Sequence, residues 1–133
     1  MPERKDGNKL KKIMNDPSNI VEEMLEGLVK SYPELVHRVE SSRVVAKNQK
    51  SEQVGLVSGG GSGHEPSHAG FVGEGMLSAA VLGDVFTSPT PDQIQTAIKE
   101  ADSGKGVLLI VKNYTGDALN FDMAKELAAM DDI

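Results

Sequence analysis

The chain has 133 residues, a net charge of −6 and 4% aromatic residues. The acidic surplus and the scarcity of aromatic rings exclude a nucleic-acid surface, which needs clustered cations or stacking platforms. The chain has no cysteine, so disulfides and thiolate chemistry are excluded. Its longest apolar run, at residues 107–111, is far shorter than the roughly 20 residues of a membrane-spanning helix. Residues 1–15 lack the apolar stretch of a signal peptide, and the sequence therefore predicts a cytoplasmic protein.

The N-terminal segment predicts an arm followed by a helix. Residues 1–14 are expected to form a flexible arm whose basic side chains are solvated. Asp16 and Pro17 are typical of a helix start. Apolar residues then recur at helical spacing over 20–29, and Pro33 follows the expected end of the helix.

Three short strands are predicted next. Residues 35–39 and 43–47 are β-branched and partly alternating, which favours two weak strands, paired as a hairpin. Residues 54–57 form a short apolar strand, and a glycine-rich loop at 58–64 follows it directly.

A second helix is predicted from residue 90. Thr90 is expected to cap it, Pro91 to occupy its first position and Gln93 to complete a capping box. Its buried stripe is predicted to consist of Ile94, Ala97, Ile98 and Ala101.

The last part of the sequence again alternates between strand and helix. Residues 107–111 are continuously apolar, which predicts a strand buried on both faces. Residues 115–130 predict a third helix, with three apolar residues on one side: Leu119, Met123 and Leu127. The order of the elements predicts an α/β fold with a parallel-type sheet flanked by helices. A final helix should lead to another strand, so we expect residues 15–133 to be the first part of a larger domain.

Two polar loops follow predicted strands, at residues 58–64 and 112–117. Parallel strands direct their carboxyl ends to one edge of the sheet, where ligands bind in such folds. We therefore expect the two loops to open side by side.

The glycine-rich loop is suited to close backbone approach, because glycine lacks a side chain and leaves amides free to donate. It is not a Walker A loop, since His64 follows Gly63 where a lysine is required. The dinucleotide-binding fingerprint has its last glycine three residues after its second glycine. Three residues after Gly61 this chain has His64 instead. The alternative interpretation is a simple strand-to-helix turn.

His64 and His68 match the His-Glu-x-x-His pattern of zinc proteases. That pattern requires an established helix, so that both imidazoles face one metal. Pro66 disfavours such a helix by about 3 kcal/mol, and the remaining histidine, His37, lies upstream. We therefore expect no metal site, and a zinc hydrolase is the weakest of three functional hypotheses.

The second loop offers a cation at Lys112 and a carboxylate at Asp117. Helix capping by Thr115, with Asp117 complementing the helix dipole, is the alternative explanation. If the two loops meet, His64 and Asp117 form a plausible pair for proton transfer.

At these residues the chain resembles the dihydroxyacetone kinase family, specifically its substrate-binding K subunit or domain. Four separated blocks match in the same order, and the similarity extends from about residue 15 to the end of the chain. The matching blocks are residues 56–66, 73–77, 86–92 and 106–117.

The resemblance implies a cytoplasmic homodimer in which this chain is the first part of a two-lobed K domain. It implies that His64 is the general base toward the phosphorylated hydroxyl and that Asp117 hydrogen-bonds the substrate and assists proton transfer. A neutral imidazole with a pKa near 6.5 can accept such a proton. The implied substrate-binding residues are Gly60, Gly61, Ser62, Gly63, His64, Lys112 and Asp117.

The resemblance also implies that parts of the enzyme lie elsewhere. In the family, a second histidine far downstream forms a covalent hemiaminal with the substrate ketone, and this chain ends before that position. The phosphoryl donor, either ATP with Mg²⁺ or an ADP-carrying phosphotransferase-system partner, is held by a nucleotide-binding L subunit or domain. We therefore expect no cofactor on this chain, and no kinase activity from it alone.

The two leading hypotheses are a dihydroxyacetone kinase subunit and a regulatory paralogue, a co-activator that binds dihydroxyacetone without turnover. The joint presence of His64, Lys112 and Asp117 favours the enzyme. A binding paralogue can keep the same pocket, so the motifs alone leave both open.

Overall fold

The structure is a computed structural model that describes residues 11–133. It contains three helices, α1 (Ile20–Ser31), α2 (Pro91–Ala101) and α3 (Thr115–Ala129). The five strands are β1 (Val36–Arg38), β2 (Val44–Lys47), β3 (Gly55–Ser62), β4 (Ala79–Val85) and β5 (Val107–Ile110). Most of the predicted arm lies outside the described residues, and residues 11–14 contain no helix or strand. Among the described helices, none is long and apolar enough to cross a membrane.

The strands form one mixed sheet in the order β1–β2–β4–β3–β5. β4, β3 and β5 run parallel, while β1 and β2 form an antiparallel hairpin that joins β4. The predicted α/β fold and the hairpin are confirmed. The sheet is parallel only in its β4–β3–β5 part.

The sheet separates two hydrophobic layers. α2 and α3 cover one face, where Ile94 and Phe121 are almost completely buried. α1 covers part of the other face and buries Leu25 against it. The predicted stripe of α2 is confirmed in full, since all four of its residues are buried: Ile94, Ala97, Ile98 and Ala101.

The first helix begins and ends as predicted. The Asp16 carboxylate accepts a hydrogen bond from the Ser18 backbone N–H at 2.9 Å. Pro17 opens a single 3-10 turn that leads into α1. The helix ends at Ser31, two residues before Pro33.

The predicted capping box of α2 is wrong. Thr90 occupies the N-cap position but makes no side-chain cap hydrogen bond. The Gln93 side chain instead accepts a hydrogen bond from the Arg43 backbone N–H at 2.9 Å. This bond connects the start of α2 to the start of β2, a partner that local sequence signals do not identify.

The glycine-rich segment is largely a strand, so the predicted loop at 58–64 is wrong over its first part. Residues 59–61 lie within β3 and pair with β4 on one side, while the first half of β3 pairs with β5 on the other. Glycine has a low preference for strands. Here hydrogen bonding to neighbouring strands fixes the extended backbone, and the loop begins only at Gly63.

The predicted burial of β5 on both faces is wrong. Val107 and Leu109 pack against the core, but Leu108 and Ile110 are 55% and 48% exposed. The reason is position, because β5 is an edge strand of the described sheet and no element covers its second face fully.

The three apolar residues predicted on one side of α3 do not face the core. Leu119, Met123 and Leu127 are exposed. The helix instead buries Phe121 and two small residues, Ala124 and Ala128, against the layer shared with α2.

Candidate active site

The carboxyl ends of β3 and β5 meet at one edge of the sheet, where they border a cavity of about 480 Å³. The two predicted loops therefore do open side by side, and the segment after β4 closes the site between them. The cavity is lined by Gly61, His64, Phe86, Ser88, Lys112, Tyr114, Thr115, Gly116 and Asp117. Four of the seven predicted site residues are among these: Gly61, His64, Lys112 and Asp117.

An ion pair lies in this cavity. Lys112 Nζ is 4.0 Å from Asp117 Oδ2, and the two side chains are 25% and 4% exposed. Asp117 Oδ1 is buried and has no hydrogen-bond partner within the described structure. Because an unsatisfied buried carboxylate oxygen is costly, Asp117 offers an acceptor for a hydroxyl group of a ligand.

Local folding explains the position of Asp117. It lies in the first turn of α3, where the helix dipole stabilises a carboxylate. Thr115 is already the first residue of that helix, and the N-cap position belongs to Tyr114, which makes no side-chain cap hydrogen bond. The capping role considered for Thr115 is therefore wrong, whereas Asp117 does lie in the first turn of the helix, where that interpretation placed it.

Gly60 and Gly61 allow protein atoms to approach β3 closely. A Cβ on Gly60 would lie 2.3 Å from Lys112 Nζ, and a Cβ on Gly61 would lie 2.6 Å from the Thr87 backbone nitrogen. Both distances are far below normal contact. Because Gly60 has no side chain, the Lys112 side chain can lie directly over the β3 backbone. Because Gly61 has none, the segment after β4 can pack against β3 beside the site.

Ser62 and Gly63 serve the fold around the site. The buried Ser62 hydroxyl donates a hydrogen bond to the Gly83 carbonyl at 2.8 Å. Gly63 has a φ of 110°, a conformation that favours glycine, and its N–H donates to Glu65 at 2.9 Å. Neither residue lines the cavity, and their predicted contact with a substrate remains a prediction.

His64 lies at the exposed rim of the cavity beside Phe86. The two rings meet edge to face, with centroids 5.1 Å apart and an interplanar angle of 62°. Such a contact orients the imidazole. Phe86 itself has a positive φ of 52°, a strained conformation that costs about 1–3 kcal/mol and that occurs often at functional sites.

Sequence reasoning did not assign Phe86 to the site. The available signal was its place in the matched block at residues 86–92. The segment that carries it is held by Asn120, whose amide donates to the Pro89 carbonyl at 2.8 Å. On the opposite wall, the Tyr114 ring centroid lies 5.7 Å from Lys112 Nζ.

His68 is a second residue near the site with an unassigned role. Its side chain lies near Gly60, and burial lowers its pKa below 6.5, with the nearby Lys112 charge lowering it further. The segment from His64 to His68 forms turns instead of a helix, so the two imidazoles are not presented one helical turn apart. Within residues 11–133, no group of three metal-ligating side chains is found.

Two of the curated relatives are dihydroxyacetone-binding subunits of kinases. The dihydroxyacetone-binding subunit of a PTS-dependent dihydroxyacetone kinase from Listeria innocua is 69% identical over 125 residues, which cover 93% of this chain and 38% of the relative. The corresponding subunit of the PEP-dependent kinase from Escherichia coli is 50% identical over 119 residues, 89% of this chain and 33% of the relative. The chain thus spans about a third of the length of these relatives.

Solved structures share the fold. The dihydroxyacetone kinase of C. freundii matches with a TM-score of 0.85 and 45% identity, covering 90% of this chain and 23% of the enzyme. A complex of that enzyme with AMP-PNP and Mg²⁺ matches equally well. The dihydroxyacetone kinase operon co-activator Dha-DhaQ matches with a TM-score of 0.80 and 42% identity, covering 84% of this chain and 34% of the co-activator.

The fold and the edge cavity define an α/β domain of the type that these kinases and the co-activator share. The Dak1 domain profile matches residues 26–133. The chain belongs to the Dak1 domain family, and the resemblance found in its four sequence blocks is confirmed.

Proposed function

We propose that this chain is the substrate-binding part of a dihydroxyacetone kinase, which transfers a phosphoryl group to a hydroxyl of dihydroxyacetone and gives dihydroxyacetone phosphate. The observation that carries this proposal is that His64, Lys112 and Asp117 line one cavity. The sequence identity between this chain and the dihydroxyacetone-binding subunits of such kinases also supports the proposal.

Each polar group has a role in this reaction. The unpartnered Asp117 Oδ1 accepts a hydrogen bond from a substrate hydroxyl, which satisfies the buried oxygen. The Lys112 ammonium donates to another substrate oxygen. His64 accepts the proton of the attacking substrate hydroxyl. The hydroxyl oxygen forms a bond to the phosphorus of the donor, and the bond between that phosphorus and the donor's leaving oxygen breaks. His64 is exposed, so the proton can then pass to water.

The donor side of the reaction belongs to a partner in this proposal. A nucleotide-binding L subunit or domain brings the phosphoryl group to the open cavity, and the chain itself holds no cofactor. The relatives with 69% and 61% identity are subunits of PTS-dependent kinases, which favours an ADP-carrying phosphotransferase-system partner over free ATP. In this proposal the K subunit is a homodimer in the cytoplasm, as the family resemblance implies.

The second candidate is a dihydroxyacetone-binding co-activator without turnover. It is favoured by the structural match to Dha-DhaQ, whose fold is shared over 84% of this chain. Both candidates bind the same ketone, so turnover distinguishes them.

The test uses the full K subunit that contains this segment, together with its purified donor partner. Formation of dihydroxyacetone phosphate and binding of dihydroxyacetone are measured for the wild type, His64→Ala and His37→Ala. His37 is the matched control because it lies on β1, at the far edge of the sheet, where it contacts Asn48 and Glu100.

For a kinase we expect His64→Ala to abolish turnover and His37→Ala to leave it intact. Turnover by His64→Ala near the wild-type rate would contradict the general-base assignment. Binding by the wild type without any turnover would instead support the co-activator.

A further inference from the structure

Lys112 separates two cavities. One is the cavity that contains Asp117, and the other is an apolar cavity of about 420 Å³. The apolar cavity is lined by residues such as Phe71 and Ile110, and His68 lies in its wall together with Lys112. The ammonium of Lys112 can bind a ligand in the Asp117 cavity only if the side chain is kept from turning toward the apolar cavity.

The side chains of His68 and Lys112 both lie over Gly60. His68 Cε1 is 3.7 Å from the Cβ position of residue 60, and Lys112 Nζ is 2.3 Å from the same point. The two atoms are therefore at most 6.0 Å apart. The His68 imidazole packs edge to face against the Phe71 ring, with centroids 6.4 Å apart. The ring thus lies beside the Lys112 side chain and packs on Phe71.

Burial and the nearby charges together favour the neutral form of His68. Burial lowers its pKa first, the Lys112 ammonium lowers it next, and His64 adds a smaller effect in the same direction. Asp117 opposes them by raising the pKa, and the net pKa is below 6.5. At neutral pH a neutral imidazole therefore stands beside the ammonium, and no like-charge repulsion drives Lys112 from Gly60.

We propose that His68 is a positioning residue for Lys112: its neutral ring closes the apolar side and holds the ammonium over Gly60, facing Asp117. Protonation of His68 places a second cation beside Lys112 and disturbs that arrangement. Substrate binding through Lys112 then weakens on the acid side of neutrality. Only the kinetic part of this inference rests on the proposed function.

The coupling between His68 and Lys112 is tested in this chain by NMR titration of the His68 ring. We expect its pKa to lie below 6.5 and to rise in Lys112→Met. Lys112→Gln is a second neutral variant, in case the first does not fold. Lys125→Met removes an exposed lysine from α3 and should leave the titration unchanged. A His68 pKa that is the same with and without the Lys112 charge overturns the proposal, whatever the enzymatic result.

The positioning role is tested in the full K subunit with its donor partner. We expect His68→Arg, which adds a permanent charge, to raise KM for dihydroxyacetone about tenfold or more. His68→Gln, which is neutral, should raise KM less than His68→Arg at neutral pH and should lose the further rise of KM on acidification. His37→Arg carries the same new charge at the far edge of the sheet and should leave KM unchanged.

The outcomes separate the two proposals. If His68→Gln and His68→Arg raise KM equally, the ring matters for packing alone and the positioning role is overturned. If the wild type shows no turnover under any condition, the proposed kinase function fails. In that case the titration of His68 with and without the Lys112 charge still decides the inference.

Discussion

The side chain of Lys112 crosses the backbone of Gly60 so closely that a Cβ on residue 60 would lie 2.3 Å from Nζ and 2.5 Å from Cε. Both atoms belong to the flexible end of the lysine. A methyl group at this position is therefore expected to displace the ammonium and to leave the sheet intact.

The first prediction compares two neighbouring glycines. Gly60→Ala should weaken dihydroxyacetone binding by the full K subunit about tenfold while costing less than about 2 kcal/mol of unfolding free energy. Gly59→Ala should cost more than about 2 kcal/mol, because its Cβ would lie 2.4 Å from the Val81 carbonyl oxygen of the paired strand. Calorimetric binding and urea unfolding measure the two effects.

The matched control for this pair is Gly73→Ala, since a Cβ on Gly73 meets no atom within 4 Å. It should leave binding unchanged. Equal losses of stability in Gly59→Ala and Gly60→Ala would contradict the view that Lys112 can move aside.

The second prediction concerns the buried carboxylate of Asp117. Lys112→Met should lower the unfolding free energy by about 1–3 kcal/mol, because it leaves that carboxylate without its cation. Asp117→Asn in the same background should recover part of the loss, since the amide carries no charge. Urea unfolding of the single and double variants forms a double-mutant cycle. A coupling energy near zero would show that the pair does not contribute to stability.

The third prediction separates the two faces of β5. Leu109→Ala should cost about 2–3 kcal/mol because Leu109 packs against the core. Leu108→Ala should cost less than about 1 kcal/mol because Leu108 is 55% exposed. The two variants have the same composition, so thermal unfolding compares them directly. Equal costs would mean that the second face of β5 is covered in solution.

The fourth prediction concerns the dependence of stability on pH. Glu22 forms ion pairs with Arg43 and Arg38 and so connects α1 to the β1–β2 hairpin. Hydrogen bonding to Arg43 and then to Arg38 lowers the pKa of Glu22 below 4.5. Its contribution to stability is therefore complete above 4.5 and is lost as the pH falls through the lowered pKa.

Glu22→Gln should therefore lower stability at neutral pH by roughly 0.5–1 kcal/mol, a modest value because the Glu22 side chain is 38% exposed. The difference from wild type should shrink in acid and in high salt. Glu52→Gln, at an exposed loop position, is the control. A difference that persists unchanged in acid would argue that packing, and not charge, is affected.

The helices and the hairpin were predictable because their signals are local. Asp16 and Pro17 mark the start of the first helix, and the stripe from Ile94 to Ala101 gives the core side of the second. The capping box of Gln93 failed because its side chain found a tertiary partner in Arg43. A local pattern cannot show that competition.

The centre of the sheet was harder to predict. β4 is rich in small residues and shows no alternation, and β3 contains three consecutive glycines. Their extended conformation is set by hydrogen bonding to each other, which involves residues far apart in sequence. The apolar run of β5 indicated a strand correctly but could not show that this strand lies at an edge.

For the site, sequence motifs singled out His64, Lys112 and Asp117, and the structure places all three at one cavity. Phe86 and His68 were not assigned to it. His68 had been considered only as part of a zinc pattern, and its relation to Lys112 depends on the crossing above Gly60. Such a crossing has no sequence signature.

Backbone atoms form the cavity wall beside Gly61, where the Thr87 amide nitrogen occupies the space of the missing side chain. A backbone wall has no alternative rotamers, so the width of the cavity on this side is the same for every ligand. Ligand size is then open to redesign at the side-chain positions Ser88 and Tyr114. A library randomised at these two positions should yield folded proteins with altered ligand preference, whereas one randomised at Gly61 should yield mainly unfolded ones.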